Sequence, residues 1–304
     1  MLAECPHATF FHSRAWAEIW QQYNGLIARS KKIEFSDDRA LILPCSYYPA
    51  MKGMVKNVVM SPAGTYGGPL YQSGITPEHT QLAIAKVEKF PLVTWRQNPF
   101  EPLSKNDWPV NSTYDFTQAL DIPDGFDEVY KNWTKGHRSA AKKARREGIT
   151  VRQATSLKDW QAYYEAYMDS QDRWGEKATS RYGWQLFDIF YQAGSSNIKL
   201  WIAELDNQLT AGAICFYQNN HVVYWHGAAH AAWFHLRPVH LLLYEVIKDA
   251  CDKSYQWFDF NPSGGHDGVV SFKKSFGCKN YPSQLYIFQH MAVRLFQKFK
   301  NLYK

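Results

Sequence analysis

Two stretches of the chain follow one plan. Residues 66–99 run from the glycine turn YGGPLY through a helix opened by Pro77 to the strand LVTWR, which leads into Asn98-Pro99. Residues 225–262 run from WHGAAH through a helix opened by Pro238 to the strand WFDF, which leads into Asn261-Pro262. Proline suits the first turn of a helix because the N–H it lacks would be unpaired there anyway. Strand, helix and strand form an α/β building block, so its recurrence predicts an α/β fold of the mixed-sheet (α+β) kind, built from two similar domains. Two unrelated α/β layouts punctuated alike by proline and glycine are the alternative.

Length agrees with two domains. At 304 residues the chain exceeds the usual ~100–200 of one domain. The proline-bearing polar stretch around 109–117 is the natural boundary, giving 1–115 and 116–285. With 45% hydrophobic and 16% aromatic residues, two cores can be filled, and no long tract has a disordered composition. The first residues lack a basic start followed by an apolar run, and no window reaches the ~18 apolar residues of a membrane helix, so a soluble cytoplasmic protein is expected. Cys5, Cys45, Cys215, Cys251 and Cys278 are dispersed and form no CxxC pair, which argues against a zinc ribbon or a disulfide framework. The histidines His221, His226, His230, His235 and His240 invite a metal reading. Gly227 and Pro238 break any continuous helix through them and no acidic or cysteine ligand accompanies them, so no metal is expected.

Charge is concentrated. Between residues 131 and 148 seven bases face only Glu147, and 7 − 1 gives +6, the net charge of the whole chain. On one helical projection Lys131, Lys135, Arg138, Lys142, Arg145 and Arg146 share a face, with His137, Ala140, Ala141 and Ala144 opposite. Such a face is either simply solvated or a surface for phosphate or RNA backbone.

Residues 258–277, FDFNPSGGHDGVVSFKKSFG, carry the chemistry most plainly. Phe258 and Phe260 alternate with Asp259 as in a half-buried strand, and Gly264, Gly265 and Gly268 let backbone approach a ligand. A lysine beside such a loop suits a phosphate or a developing oxyanion. A plain turn with a solvated lysine is the competing reading.

Four segments give the chain a family resemblance: SFKKSFG at 271–277, ATFFHSRAW at 8–16, SPAGTYGGPLY at 61–71 and HRSAAKKARREGITV at 137–151. Their order and spacing resemble the FemABX-like transferases, a branch of the GNAT (N-acetyltransferase) superfamily. The resemblance implies two tandem GNAT-like domains with a cleft between or beside them, and a terminal helix, 286–304, packing back on domain one. It implies an acyltransferase that forms an amide on an amino group, with aminoacyl-tRNA as donor and an amine, such as a peptidoglycan precursor, as acceptor. No cofactor, no DNA and at most peripheral membrane contact are implied. Lys273 would hold a phosphate or the reacting carbonyl, fixed by Phe272, with Lys274 the alternative if the register differs by one. Tyr224 and His226, alternating on one strand, would face the cleft, and His226 would accept the amine's proton. Arg181 would grip a carboxylate or phosphate. Ser61, Tyr66, Gly67 and Gly68 would form an acceptor turn, with Ser263 and Gly264 beside the substrate. Lys135, Arg138, Lys142, Arg145 and Arg146 would meet RNA. The stretch HLRPVHLLLYE has Arg237 but no glycine where acetyl-CoA-using relatives cradle a pyrophosphate, which disfavours CoA. An acyl-CoA-dependent N-acyltransferase and a non-catalytic RNA- or anion-binding protein are the rivals.

Overall fold

The computed structural model describes residues 1–50, 53, 55–103, 112–175 and 181–291. It divides into two compact units, Met1–Phe116 with Pro282–Lys304, and Thr117–Tyr281. The first runs through α1 (Arg14–Asn24), β1 (Ile27–Ala28), β2 (Lys31–Glu34), β3 (Ala40–Leu43), β4 (Ser46–Ala50), β5 (Val55–Val59), β6 (Tyr66–Gly67), α2 (Pro77–Val87), β7 (Leu92–Gln97) and β8 (Ser112–Thr113). The second holds β9 (Phe116–Asp121), α3 (Phe126–Lys131), α4 (Lys135–Arg146), β10 (Thr150–Gln153), α5 (Leu157–Trp174), α6 (Trp184–Gln192), β11 (Ile198–Leu205), β12 (Gln208–Gln218), β13 (His221–Ala229), α7 (Pro238–Asp252), β14 (Trp257–Asp259), α8 (Asp267–Lys274) and β15 (Lys279–Pro282). A last strand, β16 (Leu285–Gln289), returns to the first unit.

The fold is mixed α/β. One sheet runs β1-β4-β5-β7-β16-β8 with β6 also on β7, the other β10-β11-β12-β13-β14-β9-β15. The repeated plan of the sequence is a repeated crossover: β5 and β6 pair parallel with β7 around α2, and β13 pairs parallel with β14 around α7. Beyond each parallel pair lies an antiparallel neighbour, β16 on β7 and β9 on β14. The first sheet therefore takes that strand from the far end of the chain. Residues 285–289 are strand rather than the start of a 286–304 helix, because Tyr286 sits buried opposite Trp95 and its hydroxyl donates to Glu88 at 2.6 Å. Residues 292–304 lie outside the described residues.

Local signals explain the element ends. Ser13 caps α1 through the Trp16 N–H, Gly25 closes it in the left-handed region, and Trp16, Ile19 and Trp20 bury one face. Ser156 and Asp159 form a reciprocal capping box on α5. Asp206 and Asn207, at φ 50° and 63°, make the tight hairpin turn between β11 and β12. The basic run is not one helix. Trp133 is buried, α3 ends at Lys131, and Thr134 restarts the chain as the cap of α4, so Lys131 does not belong to the α4 stripe. Ala141 and Ala144 are buried in the second core, against α7 and the odd-numbered residues of β12.

Candidate functional site

In open α/β sheets ligands gather beyond the carboxyl ends of parallel strands. In the second unit the β13–β14 ladder spans only His221↔Trp257 to Val223↔Asp259, after which β13 continues alone to Ala229. There β13 also changes register against β12: Ile214 faces His226 but Cys215 faces Tyr224, leaving Trp225 as a bulge. The bulge corrects the expected alternation. Tyr224 lies on the α7 face, in the core that includes Cys215 and Phe260, whereas His226 lies on the α5 face. The two side chains therefore do not line one wall. Gly227 is required by this geometry, since a Cβ there would stand 1.8 Å from the Tyr224 hydroxyl.

His226 is half-buried among Tyr163, Tyr167, Tyr182, Phe187 and Trp225. Burial alone holds its pKa down to about 4, so the ring is neutral at pH 7. Tyr163 Oη lies 2.6 Å from His226 Nδ1 and 3.2 Å from the His226 carbonyl. Both contacts are satisfied together when Nδ1–H donates to the phenol and the phenol donates to the carbonyl, which leaves Nε2 with its lone pair. Nothing in the sequence marked Tyr163 for this part.

The loop after β14 is built on Asp259, which is fully buried rather than facing solvent as the alternation suggested. Its carboxylate accepts from Thr117 Oγ1 at 2.6 Å and the Asn261 N–H at 2.9 Å, with His221 Nε2 at 3.4 Å, and so needs no water. Asn261 takes φ 61° and Gly264 and Gly265 follow at 58° and 79°. Lys273, on α8, is only 5% exposed and donates to the Asn261 carbonyl at 2.6 Å. The lysine thus pins the strained turn, while Lys274 points to solvent. Beside it Gln118 Oε1, Asn261 Oδ1 and Ser263 Oγ are sequestered and make no hydrogen bond within the described protein. Gly264 is exposed. Phe272 packs against His137 of α4 and His240 of α7, whose rings meet edge to face at 4.7 Å. His137 Nε2 and His240 Nδ1 are likewise buried without partners, and burial brings His240 down to about 4. Residues from β9, α4, α7 and α8 meet here, and only this long-range convergence singles out Gln118, His137 and His240.

The α4 cations divide into two groups. Arg138 donates to the Lys131 and Trp133 carbonyls, and Arg145 pairs with Glu245 at 2.7 Å over the Tyr244 ring. Among the described residues Lys135, Lys142 and Arg146 make no such bond, and they are exposed. Arg181 donates to the Gly175 carbonyl at 2.9 Å and otherwise faces solvent.

In the first unit, Ser61 Oγ lies 2.6 Å from Thr65 Oγ1, which also receives the Trp16 indole N–H. Tyr66 is fully buried. A Cβ on Gly67 would come within 2.6–2.9 Å of Met60 atoms, while Gly68 has open space around it. Ser61, Tyr66 and Gly67 build the turn itself. Among the described residues no group of three or more metal-ligating side chains converges.

Two parallel crossovers in tandem, the second split beyond a bulged strand, define a GNAT-type acyltransferase fold. Residues 131–274 match the family model described as an acetyltransferase (GNAT) domain. The whole chain has the fold of the FemABX-like branch of that superfamily: it superposes on FemX with TM-score 0.70 at 14% identity, covering 97% of this chain and 96% of that one. It is also similar to the C-terminal domain of a putative lysylphosphatidylglycerol synthetase from Agrobacterium fabrum (TM-score 0.56, 12% identity, 92% and 89% covered). L-PGS from Bacillus licheniformis gives TM-score 0.54 at 12% identity, with 97% of each chain covered. No curated protein matches by sequence.

Proposed function

We propose that this protein forms an amide on an amino group and takes the acyl group from aminoacyl-tRNA. The observation that carries the reading is the FemX-like architecture along 97% of the chain, rather than over a single acetyltransferase domain. In the reaction the amine nitrogen attacks the ester carbonyl, the C–N bond forms and the C–O bond to the ribose breaks. The proton leaves the ammonium for His226 Nε2 and passes to the departing hydroxyl. The Ser263 hydroxyl, which has no partner within the described protein and sits on a turn fixed by Lys273, donates to the developing charge.

The start of α7 supports a tRNA donor over CoA. Arg237 and Pro238 open that helix without glycine, and Pro238 has no N–H to offer a pyrophosphate. Lys135, Lys142 and Arg146 supply uncommitted charge for RNA backbone. Among the described residues no helix is long and apolar enough to cross a membrane. A tRNA donor places the reaction in the cytoplasm, with a peptidoglycan precursor as one acceptor.

The match described as an acetyltransferase favours a second reading, acyl-CoA-dependent N-acylation. Binding of charged and uncharged tRNA across a salt series, with acetyl-CoA as competitor, separates the two. Three phosphate contacts predict a log–log salt slope of about −2 to −3, preference for charged tRNA and no competition by CoA. CoA binding with no preference for charged tRNA would establish the second reading.

A further inference from the structure

On the α5 face of the second unit, a cavity of about 440 Å³ is lined by Tyr164, Tyr167, Met168, Asp172, Arg181 and Tyr182. Its size falls within the ~300–1,000 Å³ of small-ligand pockets. Its walls are aromatic: Tyr164 lies 5.9 Å from Tyr167, ring to ring, and Tyr182 stacks on Trp225 at 5.5 Å. Among the described residues its charges are one carboxylate and one guanidinium. Among the described residues Asp172 forms no ion pair or hydrogen bond, and Arg181 spends a single N–H on Gly175. Opposite charges that line one cavity without neutralising each other call for a ligand that carries both signs. Tyr167 and Tyr182 belong both to this cavity and to the box around His226, with ring separations of 4.8 and 6.4 Å from the imidazole.

We infer that this cavity binds the acceptor, and that the acceptor presents a zwitterion: an amino acid, or a peptide end bearing an amine and a carboxylate with an apolar side chain between the tyrosines and Met168. Arg181 takes the carboxylate and Asp172 draws the ammonium. The assignment rests on the amide-forming reading above, and names its substrate class.

Saturation-transfer NMR of the full chain with L-leucine, L-leucine methyl ester and 4-methylpentanoate tests it. Leucine is expected to bind about tenfold more tightly than either probe lacking one charge. Asp172→Asn should abolish the preference over 4-methylpentanoate, Arg181→Gln the preference over the ester, and Arg181→Lys should retain part of it. Equal binding of the three probes, no binding of leucine, or variants indistinguishable from the parent would overturn the assignment. Both residues are exposed, and an unchanged circular dichroism spectrum shows that the variants fold. Acyl transfer that continues while both variants bind leucine normally removes the site and leaves the reaction. Leucine binding without any acyl transfer removes the reaction and leaves the site.

Discussion

Replacing Gly227 with alanine probes the bulge on which the site's layout depends. The added Cβ would lie 1.8 Å from Tyr224 Oη, 2.7 Å from Cζ and 3.1 Å from Cε2, so the ring itself must leave its place beside Phe260. Overpacking of this kind costs about 1–3 kcal/mol, and the involvement of a whole ring points to the upper part of that range. For a domain of ~150–250 residues each kcal/mol moves Tm by about 2–4 °C, so Gly227→Ala should lower the second unit's transition by about 4–12 °C. Tyr224→Phe removes the 1.8 Å clash but keeps the one at 2.7 Å, and should rescue little. Tyr224→Leu removes the ring, and in that background the alanine should cost under about 1 kcal/mol, a coupling of about 1–2 kcal/mol. Calorimetric melting of the four proteins of this cycle gives the coupling directly. An equal penalty in both backgrounds would refute the placement of Tyr224 over Gly227, and with it the separation of Tyr224 from His226.

Lys273→Met keeps the side-chain length and loses the bond to the Asn261 carbonyl, for an expected cost of about 1.5–3 kcal/mol in denaturant melts along with lost activity. Lost activity at unchanged stability would instead put Lys273 on the substrate. Burial holds His226 and His240 near pKa 4, against 6.5 when unfolded. The unfolded chain therefore takes up protons first, and stability should fall as pH drops from 6.5 to 4. His240→Gln should flatten that fall in melts taken between pH 7 and 4, and an unaltered slope would contradict it. Replacing Lys135, Lys142 and Arg146 by glutamine should reduce the tRNA salt slope by about 2–3, whereas Arg145→Gln, which breaks the Glu245 pair, should leave it within a fraction of one contact. Equal effects would mean that the free and committed cations are not distinct.

The crossovers were legible because their signals are local: Pro77 and Pro238 open helices, and Asn98-Pro99 and Asn261-Pro262 close strands. The Phe258 to Gly277 segment drew notice for its glycines and lysine. Its inner arrangement was not legible, since Asp259 is buried only because Thr117 and the Asn261 N–H, from distant and adjacent chain, both meet its carboxylate. Period-two alternation placed Tyr224 and His226 together, and one extra residue at Trp225 undid it, since a bulge is defined against the partner strand rather than within its own sequence. The helical wheel counted Arg138 and Arg145 as free charge, although their partners lie in the preceding turn and 100 residues away. His137 and His240 look like ordinary helix residues until α4 and α7 pack together.

The fate of the acyl label tests aminoacyl transfer most directly. Purified protein would be incubated with mixed [¹⁴C]aminoacyl-tRNA and a fraction of amine-bearing cell metabolites, then treated with mild base, which hydrolyses the tRNA ester but spares an amide. Aminoacyl transfer to an amine should give protein-dependent label that survives base and is lost with His226→Gln. Label that stays wholly base-labile, while [¹⁴C]acetyl-CoA gives a base-stable product under the same conditions, would contradict it.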